Sequence, residues 1–189
     1  MKVGLYFGSF NPIHVGHLII ASFVVNNTDV DQVWFVVSPQ NPLKKSSTLL
    51  NEYHRLHLVQ LAIEKDEQLK VSNIEFTLPR PSYTIDTLTH LREKYSNHEF
   101  VVIMGSDSLQ NISKWKNYEM LLKNYSIYVY LRPGFEIKII MEKVKVLKAP
   151  LLEISSTMVR ELIRQGKSIK YLVPESIKEE IEKSGYYRT

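Results

Sequence analysis

The sequence predicts an α/β protein, a doubly wound and mostly parallel sheet with helices on both faces. Three observations carry that expectation. Short runs rich in β-formers alternate with longer helical patterns. The runs are apolar throughout rather than alternating, as strands covered on both faces must be. Polar, turn-forming segments follow the runs directly, where ligands of such sheets bind.

Taken in order, "KVGLYF" (2–7) is the first strand, and "VGHLIIASFVV" (15–25) is a helix apolar nearly all round, hence deeply packed. "QVWFVVSP" (32–39) is a second buried strand. Asn51 can cap a helix whose Leu56, Val59, Ala62 and Ile63 share a face. A third strand is expected at 70–77, then a helix opened by Thr84. "HEFVVIMG" (98–105) gives a fourth strand, short helices follow over 107–123, and "YSIYVYL" (125–131) gives a fifth. "VKVLKAP" (144–150) reads as a short edge strand. Two helices close the pattern, 156–165 ended by Gly166 and 174–183 started by Pro174 and ended by Gly185. No repeat or linker interrupts it.

The chain has 189 residues, enough for one domain with a substantial core. It has no cysteine, which excludes thiolate chemistry and suits a reducing cytoplasm. No apolar run approaches the roughly 18 residues needed to span a bilayer, so a soluble protein without membrane partners is expected. The net charge of +4 tolerates anionic ligands. The lysines are interleaved with glutamates and form no basic stripe, which argues against a nucleic-acid partner. No Walker loop, G-x-G or nucleophile elbow occurs. His54 and His57 lack a third ligand, and no metal site held by the protein is expected.

Two loop-to-helix junctions concentrate the chemistry. In "GSFNPIHVGH" (8–17), Gly8 permits close approach of backbone to a ligand, and Asn11-Pro12 forces a turn into a helix whose amides can seat phosphate. His14 and His17, three apart, project from one side and can donate to oxygens that gain charge in a transition state. In "ISSTMVR" (154–160), Ser155, Ser156 and Thr157 can cap a helix or bind an anion, and Arg160 on the same face can grip phosphate oxygens. The bland alternatives are histidines satisfied by backbone carbonyls and a capped surface helix with a solvated arginine.

The first string resembles the G-x-F-[DN]-P-x-H-x-G-H signature of the nucleotidyltransferase superfamily, with Asn11 where aspartate is usual. The second resembles its partner I-S-S-T-x-x-R. Three further stretches resemble the bacterial nicotinate-nucleotide adenylyltransferases: "PSYTIDTL" (81–88), "IMGSDSLQNISKW" (103–115) and "YLRPGF" (130–135) with its R-P-G turn. Five motifs in family order span most of the chain. The resemblance implies a Rossmann-like nucleotidyltransferase fold over a single domain, 1–189. It also implies cytoplasmic transfer of AMP from ATP to nicotinate mononucleotide, in NAD biosynthesis.

The resemblance places His14, His17 and Arg160 in catalysis. It gives Gly8, Ser9, Phe10, Lys45, Gly105, Asp107, Ser155, Ser156 and Thr157 to ATP. Tyr83, Thr84, Trp115 and Arg132 go to nicotinate mononucleotide, with Thr84 and Tyr83 offering helix-start donors to its carboxylate and Trp115 a face for its ring. Mg2+ would arrive on the ATP phosphates. Where the family commonly has histidine–lysine after the second strand, this chain has Lys44-Lys45, and the role of Lys44 stays open. So does a homo-oligomer. The alternatives are another adenylyl- or cytidylyltransferase, such as pantetheine-phosphate adenylyltransferase, and a silent nucleotide-binding domain. Plain packing roles for Tyr83 and Trp115 and a helix cap for Asp107 also stay open.

Overall fold

The structure, a computed structural model, describes residues 1–40, 49–137 and 141–188. Among the described residues six strands form one sheet, all parallel: β1 (Lys2–Gly8), β2 (Gln32–Val37), β3 (Leu69–Ser72), β4 (Glu99–Gly105), β5 (Ser126–Tyr130) and β6 (Val144–Leu147). Their order is β3-β2-β1-β4-β5-β6, so the winding reverses between β1 and β4. The fold class is the one the sequence predicts.

The helices are α1 (Val15–Asn27), α2 (Glu52–Ile63), α3 (Thr84–Lys94), α4 (Ser106–Gln110), α5 (Tyr118–Asn124), α6 (Ser156–Arg164) and α7 (Glu175–Ser184). Strand side chains alternate between two cores. Tyr6, Phe35 and Ile103 pack with Ile20, Leu58, Val159 and Ile177, from α1, α2, α6 and α7. Leu5, Val36 and Val102 pack with Leu88, Leu109 and Leu121, from α3, α4 and α5. Both sheet faces are thus covered, which explains the unbroken apolar runs.

Two expectations need correction. α1 is not buried all round: Ile20, Ala21 and Val24 face the core while Ile19 and Ser22 are exposed. Its apolar outer stripe, with Leu18 and Phe23 half-buried, misled the pattern. The third strand stops at Ser72, and Ile74–Thr77 form a 3-10 turn. The Ser72 hydroxyl accepts the Ile74 amide at 3.3 Å and bends the chain out of the sheet, so that Glu75 turns inward. The caps stand: Asn51 accepts from the Tyr53 amide at 2.9 Å, and Gly166 and Gly185 take φ of 65° and 68° after α6 and α7.

Candidate active site

β1 and β4 end side by side at the reversal, and a cavity of about 430 Å3 opens above them. Its wall joins the loop after β1 (Gly8, Ser9, Phe10, His14, His17), the tips of β4 and β5 (Asp107, Arg132), and the start of α6 (Ser155, Ser156, Thr157, Arg160). Four distant stretches of sequence meet there.

The first loop is held by buried polar contacts. Asn11 accepts the Leu50 amide at 3.1 Å. Phe10 takes a left-handed φ of 44°, and its ring occupies the space a Cβ on Gly8 would need, 2.8 Å away. Gly8 therefore answers first to Phe10, a neighbour in its own chain. His14 precedes α1 in extended conformation and stacks on His17, ring centres 3.7 Å apart. The His14 amide donates to His17 Nδ1 at 3.3 Å, which puts the neutral His17 proton on Nε2. His14 Nδ1 is buried without a partner.

Burial first, then the positive charge of Arg132, pulls the His14 pKa down to about 4. Burial and its two neighbours, His14 and Arg132, hold His17 well below the ordinary imidazole range. Both rings are neutral at pH 7 and act as directional donors or acceptors, not as cations.

The second motif docks onto the first. Arg160 Nη1 donates to the Asn11 carbonyl at 2.7 Å, and the Ser156 hydroxyl to the Pro12 carbonyl at 2.8 Å. Arg160 Nη2 reaches Thr157 Oγ1 at 3.3 Å, while Nε is buried and unpartnered. The guanidinium is thus a clamp as well as a charge facing the cavity. Ser155 caps α6 through the Met158 amide at 3.2 Å. The helix α1 amides are more occupied than the motif suggests, since Val15 donates to the Leu172 carbonyl at 2.9 Å.

At the far wall Arg132 pairs with Asp107 at 3.3 Å, and its amide donates to the Ser106 hydroxyl at 2.9 Å. Gly134, φ 81°, turns the chain back so that the Phe135 amide meets the Arg132 carbonyl at 3.1 Å. Gly105 lies beneath this pair, where a Cβ would strike Asp107 and sit 2.9 Å from Arg132 Cδ.

Tyr83, Thr84, Trp115 and Gly105 are not on the cavity wall. Tyr83 precedes α3, with the Lys116 ammonium 4.9 Å from its ring centre, and Lys116 pairs with Asp86 at 2.8 Å. Trp115 packs half-buried against the second core. Lys44 and Lys45 lie outside the described residues.

Two buried charges escaped the motif reading. Arg55 donates to the carbonyls of Leu50, Ser9, Ser38 and Pro39 at 2.6–2.9 Å. Glu75 accepts from Ser82 at 2.8 Å and Thr87 at 3.0 Å. The available signal was placement. Arg55 shares the apolar face of α2 with Leu58 and Val59, where a charge must have partners.

Imidazoles and a guanidinium thus converge at the switch point of a 3-2-1-4-5-6 sheet, where such sheets bind nucleotides. The family model described as "Cytidylyltransferase-like" matches residues 5–162. A curated relative from Flavobacterium psychrophilum, named "Probable nicotinate-nucleotide adenylyltransferase", is 52% identical over 100% of both chains. One of the same name from Cytophaga hutchinsonii is 51% identical over 99% of this chain and 98% of that one. The chain belongs to the nicotinate-nucleotide adenylyltransferase family. The nicotinic acid mononucleotide adenylyltransferase of Plasmodium falciparum, solved in complex with NaAD, superposes with a TM-score of 0.83. That match covers 98% of this chain and 97% of that one at 21% identity, a likeness of fold. Among the described residues no helix is long and apolar enough to cross a membrane.

Proposed function

We propose that this chain transfers the AMP part of ATP to nicotinate mononucleotide, giving deamido-NAD and pyrophosphate, in the cytoplasm. The observation that carries the reading is the convergence of His14, His17 and Arg160 on one cavity, with Arg160 anchored on the Asn11 carbonyl. Its relatives' names supply the acceptor.

The acceptor phosphate is an anion at neutral pH and attacks the α-phosphorus in line, so no protein base is needed. The chain's work is to orient and to receive charge. His17 Nε2–H and the His14 ring offer neutral donors to phosphoryl oxygens, and Arg160 carries the positive charge nearby. Lys45 would add a further positive charge. Asp107 would meet a ribose hydroxyl, Ser155 and Thr157 phosphate oxygens, and Tyr83, Thr84 and Trp115 the pyridine ring and its carboxylate.

Magnesium would travel with ATP. Asp107, the carboxylate on the cavity wall, is engaged by Arg132, which fits a metal held by phosphate oxygens and water.

The test is pyrophosphate release from ATP with nicotinate mononucleotide, nicotinamide mononucleotide or phosphopantetheine offered separately. Charge-assisted bonds to the nicotinate carboxylate are worth about 1.5–3 kcal/mol, so the first should exceed the second by roughly one to two powers of ten. Phosphopantetheine should give no release. Release with phosphopantetheine alone would refute the reading.

A further inference from the structure

β4 lies between β1 and β5, so the backbones of those two strands stand about 10 Å apart. Tyr6 on β1 and Tyr130 on β5 nevertheless touch. Their ring centres are 6.0 Å apart, and the Tyr6 hydroxyl donates to the Tyr130 hydroxyl at 2.9 Å. They meet beside Gly105 of β4, the register partner of Tyr130. A Cβ there would sit 3.2 Å from Tyr130 Cζ, besides striking Asp107 and crowding Arg132. The glycine keeps that corner open.

Both phenols line the cavity, on the sheet face covered by α1 and α6. The Tyr6 ring stands edge-on to those of Phe10 and His17, 5.8 and 5.9 Å away. Phenylalanine would fill the same volume, as Phe10 and Phe35 do beside it. The hydroxyls are therefore surplus to packing. Together they carry two protons, and the bond between them uses one. Tyr6, 5% exposed, has no other acceptor among the described residues, so its proton goes to Tyr130. The Tyr130 proton is left over, on a half-buried ring at the cavity wall. Burial lifts both phenols above their usual range, and both stay protonated at pH 7.

The neighbours say what that proton meets. On one side, through Tyr6, is His17, a neutral donor to anionic oxygens. On the other, around Gly105, is Asp107, a carboxylate that accepts from hydroxyls and repels phosphate. A nucleotide lying with its outer phosphates toward His17 and its ribose toward Asp107 brings the phosphoryl group next to the ribose over Tyr130.

We propose that the Tyr130 hydroxyl donates to the α-phosphoryl group of ATP, and that Tyr6 is the positioning residue that aims it. This rests on the function proposed above, in which that group is the one transferred.

Binding measured without the acceptor tests it. ATP and pyrophosphate, each with Mg2+, are titrated calorimetrically into the parent and three variants. Tyr130→Phe should weaken ATP about tenfold, the worth of one hydrogen bond to a charged group, and leave pyrophosphate near the parent's affinity. Tyr6→Phe should weaken ATP less, about threefold, because the donor stays but is no longer held. The Tyr6→Phe/Tyr130→Phe double variant should bind ATP as Tyr130→Phe does. Its urea midpoint should be no lower than the parent's, since removing both partners orphans neither. Unchanged ATP affinity in Tyr130→Phe, an equal loss toward pyrophosphate, or ATP affinity restored in the double variant would overturn the proposal. A parent that binds no ATP would overturn it together with the function it rests on.

Discussion

The two ends of the sheet are built on opposite rules. At the end where the strands begin, the charged groups Lys2, Asp29 and Glu99 are matched to one another. Lys2 pairs with Asp29 at 2.8 Å and Glu99 at 3.0 Å, and the Tyr128 hydroxyl donates to Asp29. Burial alone would lower the Lys2 pKa, yet its bonds to Asp29 and Glu99 lift it above the usual lysine range. Hydrogen bonds from Lys2 and Tyr128 draw Asp29 down to about 2. At the end where the strands finish, His14 Nδ1 and Arg160 Nε are buried without partners beside the cavity. An unpaired buried polar atom costs about 1–3 kcal/mol, and a ligand that supplies the partner recovers it. The beginning end spends its charges on holding the fold; in the function proposed above, the finishing end keeps these two atoms for a substrate.

Substitutions at the two ends should therefore separate activity from stability. The largest effect belongs to the finishing end: His17→Ala should lower kcat roughly a hundredfold to a thousandfold, by removing a donor aimed into the cavity. Its unfolding midpoint in urea should fall modestly, because the His14 amide loses its acceptor and the His14, Tyr6 and Phe10 rings lose a neighbour. A large fall in stability with kcat retained would place His17 in the framework instead.

The two ends should also titrate in different windows. His14 is depressed to about 4 when folded, so the unfolded chain takes up its proton first as pH falls. Stability is therefore full above about 6.5 and declines between 6.5 and 4, by about 3 kcal/mol for His14. A His14→Gln/His17→Gln variant should lose most of that slope in urea titrations at pH 7 and pH 5. Asp29 acts lower, since its folded pKa is the depressed one. Its contribution is present above about 3.8 and fades toward 2. An unchanged slope between pH 6.5 and 4 in the double variant would assign the acid sensitivity elsewhere.

The smallest effect is at the beginning end. Lys2→Met should cost about 1 kcal/mol, because Asp29 and Glu99 are themselves well exposed and water screens the pairs. Turnover and both KM values should not move.

The sequence exposed the finishing end more fully than anything else in the molecule. "GSFNPIHVGH" and "ISSTMVR" break apolar patterns at loop-to-helix junctions, and the fold brings them into contact through Arg160 and Ser156. The mostly parallel sheet also followed from alternation of runs and helices, whereas the strand order β3-β2-β1-β4-β5-β6 came from the structure. What could not be read depends on pairing across sequence. Nothing in "NEYHRLHL" says that Arg55 will meet carbonyls of Ser9 and Ser38, and nothing in "NIEFTL" distinguishes a strand from a turn that buries Glu75. The outward apolar stripe of α1 is a further case, because periodicity reports which residues are apolar and not which face is covered. Arg132 was read as a substrate contact, and its pairing with Asp107 across β4 and β5 required the topology.

The most direct measurement follows the imidazole nitrogens by NMR as ATP with Mg2+ is added at pH 7. His98 supplies the internal control, since its Nδ1 is also buried without a partner but lies at the beginning end, among the rings of Trp34, Tyr95 and Phe100. The account predicts neutral rings throughout the free protein's site, with the His14 and His17 nitrogens shifting on nucleotide addition and those of His98 unmoved. A shift at His98 with His14 and His17 unaffected would contradict it.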